Sequence, residues 1–178
     1  MQPLTYRWAS SSDLAELRAL MALAIDRLQD EFLTREQVVA SAAVMGLDTQ
    51  LIDDGTYLVV EADDKIVGCG GWSRRATLYG GDHSAALREP RLLDPGTDAA
   101  RIRAMYTHPD VTRRGVGRLV LFRCEAAATQ DGFKRAELMA TLAGEPLYQA
   151  CGYAAIERVH ALAGGVAVPL VRMGKVLA

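Results

Sequence analysis

The chain has 178 residues, 50% of them hydrophobic and 24% charged, with 20 Lys and Arg against 22 Asp and Glu for a formal net charge of −2. That length and apolar content suit one folded domain over residues 1–178 and exclude a disordered chain. The near-neutral charge argues against a nucleic-acid partner, which usually meets a basic excess.

In chain order, Leu4 to Trp8 alternates like a short strand, and Ser10-Ser11-Ser12-Asp13 supplies N-cap residues. Leu14, Leu17, Leu20, Met21, Ala24, Ile25 and Leu28 then recur at helical spacing. Thr34 and Gln37 form a capping box for a second helix running toward Val44 and ended by Gly46, and Asp53-Asp54-Gly55 reads as a turn. Thr56 to Glu61 and Lys65 to Trp72 read as a hairpin around Ala62-Asp63-Asp64. Residues 73–100 carry irregular signals, a connection long enough to suggest a functional loop. Arg101 to Thr107 alternates as a strand, stopped by His108-Pro109-Asp110. A helical stripe follows Gly115 through Val116, Leu119, Val120, Phe122, Ala126 and Ala127 and closes at Gly132. Ala136 to Leu142 reads as a strand, Glu145 to Cys151 as a short helix ended by Gly152, and two strands follow near Ala155–His160 and Val166–Val171. The expected order is β-α-α-β-β-β-α-β-α-β-β, a mixed α/β (α+β) domain around one central sheet.

No basic segment precedes an apolar run at the N-terminus, and the stretch from Leu14 to Ile25 is too short and too interrupted to span a bilayer. A cytoplasmic protein with no membrane partner is therefore expected. Cys69, Cys124 and Cys151 show no CxxC spacing and read as small buried hydrophobes, so neither a disulfide framework nor a metal site is expected.

The chemical signal lies at Thr112-Arg113-Arg114-Gly115-Val116-Gly117-Arg118, between a strand and a helix. Two glycines allow close backbone approach, the first helical turn offers free N–H groups, and three arginines add fixed positive charge. Together these read as a pyrophosphate cradle. A dinucleotide fingerprint is excluded because Val120 stands at the third glycine position, and a Walker loop because Gly-Lys-Ser/Thr is absent. Charge is uneven in the same sense: residues 101–123 hold six arginines against Asp110 alone, whereas residues 1–64 hold 4 basic and 12 acidic residues.

The run MYTHPDVTRRGVGRLVLFRCEAAATQDGF followed by AELMATLAGEPLYQACGY resembles the core of the GNAT superfamily of N-acetyltransferases. The resemblance implies an acetyl-CoA-dependent enzyme. It implies phosphate contacts at Arg113, Arg114, Gly115, Val116, Gly117 and Arg118, a strand segment Met105-Tyr106-Thr107 aligning the pantetheine arm, and a further contact at Thr141, where the family often has Asn. It implies Tyr148 as the general acid for the departing thiolate. The first loop position, usually Arg or Gln in the family, is Thr112 here. The implied reaction is direct attack of a primary amine, from a small molecule or a protein, on acetyl-CoA in a ternary complex, and a homodimer is compatible with the family. No general base is assigned: Arg101 and Arg103 are not bases, and His83, Asp82, Tyr79 and His108 read first as loop or turn residues. Trp72, Tyr79 and His83 are weaker candidates for acceptor contact. The competing reading is a non-catalytic acyl-CoA-binding regulatory module.

Overall fold

In a computed structural model describing residues 3–178, one seven-stranded sheet organises the chain. In sequence the elements are β1 (Thr5–Trp8), α1 (Leu14–Leu28), α2 (Arg35–Ser41), α3 (Thr49–Asp53), β2 (Tyr57–Ala62), β3 (Lys65–Ser73), β4 (Ala100–Thr107), α4 (Val116–Gln130), β5 (Arg135–Thr141), α5 (Glu145–Ala150), β6 (Ala154–Ala163) and β7 (Val166–Val176). The strands lie in the order β1-β2-β3-β4-β5-β7-β6. Only β4 and β5 run parallel, joined by the α4 crossover. Among the described residues no helix is long and apolar enough to cross a membrane.

The expected order is present, with α3 in addition. That one-turn helix holds little apolar periodicity, and its start depends on Asp48, whose carboxylate accepts the Gln50 N–H at 3.1 Å. The capping box at the head of α2 forms as its sequence implies: Thr34 Oγ1 accepts the Gln37 N–H, and the Gln37 side chain accepts the Thr34 N–H.

Both faces of the sheet are covered. The apolar stripe of α1 (Leu17, Leu20, Met21, Ala24, Ile25) packs with Tyr57 and Val59 of β2 on one face. The stripe of α4 (Val116, Val120, Leu121, Cys124) packs with Leu58 and Val60 on the other. Strand β2 is therefore buried on both sides, which is why its sequence is a continuous apolar run. Cys69 and Cys124 are buried and Cys151 is half-buried, all with free thiols.

Helix α4 sits unusually close to the sheet because β3 carries glycines beneath it. A Cβ on Gly68 would lie 2.2 Å from Val116 Cγ1, and one on Gly70 would lie 2.6 Å from Val120 Cγ1. Gly68→Ala is expected to destabilise the protein by roughly 1–3 kcal/mol through overpacking, measured by denaturant unfolding. An unchanged unfolding midpoint would mean that α4 can lift off the sheet without penalty.

Two features of β4 open the sheet. Its ladder with β5 consists of Ala100↔Ala136 and Arg101↔Glu137 only, although β5 pairs with β7 along its whole length. On its other side, the register with β3 shifts between Cys69 and Gly71, so that Ala104 and Met105 stand opposite Gly70. This is a β-bulge, with Ala104 at φ 49°. Bulges bend a strand and increase its twist, and here β4 leaves β5 beyond Arg101. The gap between the two strands is the floor of the candidate site.

Candidate active site

The loop read as a phosphate cradle lies at the carboxyl end of β4, where the sheet opens. In α/β sheets this is the usual place for a ligand. Arg113 (φ 65°) and Gly115 (φ 85°) take left-handed conformations that swing the chain into α4. Gly115 is the N-cap and supplies no side-chain cap; the first N–H bonded back into the helix is that of Leu119, to Gly115 O at 2.9 Å. The N–H groups of Val116, Gly117 and Arg118 thus open the helix without an intrahelical acceptor. Apart from its chain neighbours, nothing lies within 4 Å of where a Gly115 Cβ would stand. Arg113, Arg114 and Arg118 are exposed, and none forms an ion pair among the described residues. Gly117 lies against Leu147 of α5, and a Cβ there would stand 3.8 Å from Thr107 Oγ1. This places Thr107 at the mouth of the opening.

Beside it a cleft runs between the splayed strands. Met105 and Tyr106 of β4, Thr141 and Gly144 after β5, and Tyr148 of α5 line one part of it. Thr141 Oγ1 accepts the Gly144 N–H at 3.1 Å and so shapes the turn into α5. Tyr106 contributes its backbone to the cleft. Its ring packs in the α1-side core, and its hydroxyl accepts the Gly46 N–H at 2.8 Å. Tyr148 stands on α5 with its ring edge-on to Tyr153, centroids 6.0 Å apart. Burial, then the nearby Cys124 and Cys151, push its phenol well above the usual tyrosine range. The hydroxyl is therefore held protonated.

The opposite part of the cleft is walled by Val44, Met45 and Gly46, which precede α3, and by Leu78, Tyr79 and Gly80 of the long loop. That loop is tied down by charge. Arg103, buried at 3% exposure, donates to Asp48 Oδ2 at 3.0 Å, to Gly80 O at 2.9 Å and to Thr77 O at 3.4 Å. Arg88 holds the other Asp48 oxygen at 3.0 Å, and Arg75 pairs with Asp54 at 2.7 Å.

The residues singled out from sequence thus separate. Met105, Tyr106, Thr141 and Tyr148 line the cleft, while Thr107 and the 113–118 loop do not line it and stand together at the carboxyl end of β4. Tyr79 reaches the cleft wall, but Trp72 and His83 do not. Trp72 is a core residue packed edge-on to Phe133 at 6.2 Å, and His83 is exposed with Nε2 2.7 Å from Ala42 O. His108 Nδ1 accepts the Asp110 N–H, and Asp82 binds the backbone and hydroxyl of Thr49, so both are occupied in turns. The basic segment 101–123 also divides. Arg101 is paired with Glu137, Arg103 with Asp48, and Arg123 stacks on Tyr6, leaving the three loop arginines at the helix end. The Arg103–Asp48 pair joins residues 55 apart, and no local pattern announces it.

The family model described as "Acetyltransferase (GNAT) family" matches residues 18–153. The chain belongs to the GNAT acetyltransferase family. Among curated proteins, none matches this GNAT acetyltransferase in sequence. Solved structures similar to it include a GCN5-related N-acetyltransferase from Rhodopseudomonas palustris, at 21% identity and TM-score 0.73 over 99% of this chain and 98% of the other. PaiA N-acetyltransferase from Thermoplasma acidophilum, in complex with coenzyme A, is similar at 13% identity and TM-score 0.67, over 98% of this chain and 99% of the other. YncA from Salmonella typhimurium, with acetyl-CoA, is similar at 19% identity and TM-score 0.64, over 99% of this chain and 95% of the other. The seven-stranded mixed sheet is thus the GNAT fold, and the protein is an acyltransferase by family.

Proposed function

We propose that this GNAT protein transfers the acetyl group of acetyl-CoA to a primary amine by direct attack within one ternary complex. The observation that carries this reading is the juxtaposition of two features where β4 leaves β5: an uncapped, arginine-flanked helix end and a splayed-strand cleft lined by the buried Tyr148. The residues fit the cosubstrate. Unpartnered N–H groups and clear space at Gly115 suit a pyrophosphate, and the β4 edge beyond Arg101, without ladder partners from β5, suits an extended amide-bearing arm. The complexes of PaiA with coenzyme A and YncA with acetyl-CoA support the same ligand.

Acetyl-CoA supplies an activated acyl thioester. The α4 N-terminus and Arg113, Arg114 and Arg118 hold the phosphates by charge-assisted hydrogen bonds. The backbone N–H of Met105, in the bulged β4 segment, offers a donor to the carbonyl oxygen as it gains charge. Tyr148 donates its proton to the departing sulfur.

Replacing Arg113, Arg114 and Arg118 by alanine together is expected to weaken acetyl-CoA binding by about two orders of magnitude at low salt, with a flatter salt dependence and a nearly unchanged kcat at saturation. Calorimetric titration across ionic strength measures both effects, and an unchanged Kd would place the phosphates elsewhere. Tight acetyl-CoA binding with no turnover on a broad amine panel would instead establish the regulatory-module reading.

A further inference from the structure

The acceptor end of the cleft is walled by Val44, Met45, Leu78, Tyr79, Met139 and Leu170. Among the described residues lining the cleft there is no Asp, Glu or His. Its one charged side chain, Arg103, is paired with Asp48 and also donates to the carbonyls of Thr77 and Gly80. The carboxylates that share this face are held as well. Asp48 lies between Arg103 and Arg88, and Glu137, two residues before Met139 on the same face of β5, accepts from Arg101 at 2.9 Å and Arg172 at 2.6 Å.

An amine attacks a carbonyl carbon with its lone pair, so it must be neutral when it does. A cleft whose lining has no free counter-ion penalises the ammonium form. A cleft without a carboxylate or imidazole has no such side chain to remove the proton. The amine therefore has to lose its proton to water before it enters. At about pH 7.5, roughly a third of α-amines (pKa about 7.7–8.0) are neutral, against about one in a thousand lysine ε-amines (pKa about 10.4). Resting on the acetyl-transfer reading of this cleft, we infer that the acceptor is a weakly basic amine beside an apolar side chain. The α-amine of an amino-acid amide, or of a peptide beginning with an aliphatic residue, has this chemistry; a lysine side chain or a polyamine does not. The amine nitrogen bonds to the acetyl carbon, the carbon–sulfur bond breaks, Tyr148 protonates the sulfur, and the amine's excess proton leaves to solvent, from which Tyr148 regains a proton.

The test is steady-state kinetics with acetyl-CoA and three probes: Leu-Ala-Gly amide, N-blocked Ala-Lys-Ala amide and Asp-Ala-Gly amide. At about pH 7.5, kcat/KM for the leucine peptide is expected to exceed that for the lysine peptide by about tenfold or more. The neutral-fraction ratio of roughly 200–300 is partly offset by the stronger nucleophilicity of the more basic amine. Between about pH 8 and 10 the leucine-to-lysine ratio should fall by about fortyfold in all, as the ε-amine deprotonates while the α-amine is already mostly neutral. The aspartate peptide should fall below the leucine peptide, because its carboxylate meets the apolar wall. Tyr79→Glu, which supplies a counter-ion at this end, should narrow the preference for leucine over lysine. Equal or better acetylation of the lysine peptide near neutral pH overturns the inference, as does a gap that does not change with pH. Acetyl-CoA binding without turnover of any of these probes overturns this inference, and absence of turnover on the broad amine panel as well overturns the transfer reading.

Discussion

Tyr148→Phe is expected to lower kcat by about a hundredfold or more, the usual contribution of a positioned general acid, while leaving the Kd for acetyl-CoA within about threefold. The substitution removes one oxygen and keeps the ring, so the edge-on contact with Tyr153 and the packing of α5 survive. The pH profile separates proton donation from packing. Because burial holds the Tyr148 phenol above its ordinary value, the group stays protonated through the working range. The wild-type rate should therefore show no alkaline decline from this group below about pH 10. A thioester whose leaving thiol is more acidic needs less help from an acid, so an activated acetyl thioester should recover much of the lost rate in the variant. Equal kcat for variant and wild type across pH would remove Tyr148 from the chemistry.

Asp48→Asn is the second large effect. The guanidinium of Arg103 and the carboxylate of Asp48 are 2% and 4% exposed, so removing the negative partner leaves a buried cation uncompensated. Such breaks cost about 3–5 kcal/mol, which for a chain of this size lowers the melting temperature by roughly 10 °C. Asparagine retains an oxygen to cap α3, so loss of the ion pair is isolated from loss of the cap. Arg103→Met combined with Asp48→Leu should recover much of the stability, because an apolar replacement removes both desolvation penalties. The exposed Arg35–Asp26 pair is the control, and Asp26→Asn should leave the unfolding midpoint unchanged. Since Arg103 also holds the carbonyls of Thr77 and Gly80, Arg103→Met should raise KM for the amine while sparing acetyl-CoA affinity. Parallel loss of both affinities would mean that the pair supports the whole sheet rather than the acceptor wall.

The parts of this protein readable from residue order are those whose causes are local. Helix α1 follows from its apolar spacing, α2 from the Thr34–Gln37 capping box, and the turn into α4 from Gly115 at positive φ. Each depends on neighbours within about two helical turns, the range over which side-chain spacing and capping act. The arginine-rich loop is legible from its own short motif, whereas the residues alone read Tyr148 as a core tyrosine and only the family resemblance singles it out. Helix α3 was missed because five residues carry too little periodicity to register.

What tertiary structure decided are the relations between segments. The gap between β4 and β5 arises from a bulge at Ala104 and Met105, which exists only relative to Gly70 on a neighbouring strand. Arg101 and Arg103 read as part of one basic cluster, yet they point to Glu137 and Asp48, which lie 36 and 55 residues away in the chain. Their charge is consumed in holding the fold, and only the three arginines at the head of α4 stay available to a ligand. The acceptor wall is assembled from the segment before α3, the long loop, β5 and β7, and no one of these carries its character alone. Periodicity, capping and turn chemistry are properties of adjacent residues and survive in the linear order. Strand register, charge pairing and the lining of a cleft are set by burial across the sheet, where the cost of leaving a charge or a ladder unpaired selects partners that sequence distance conceals.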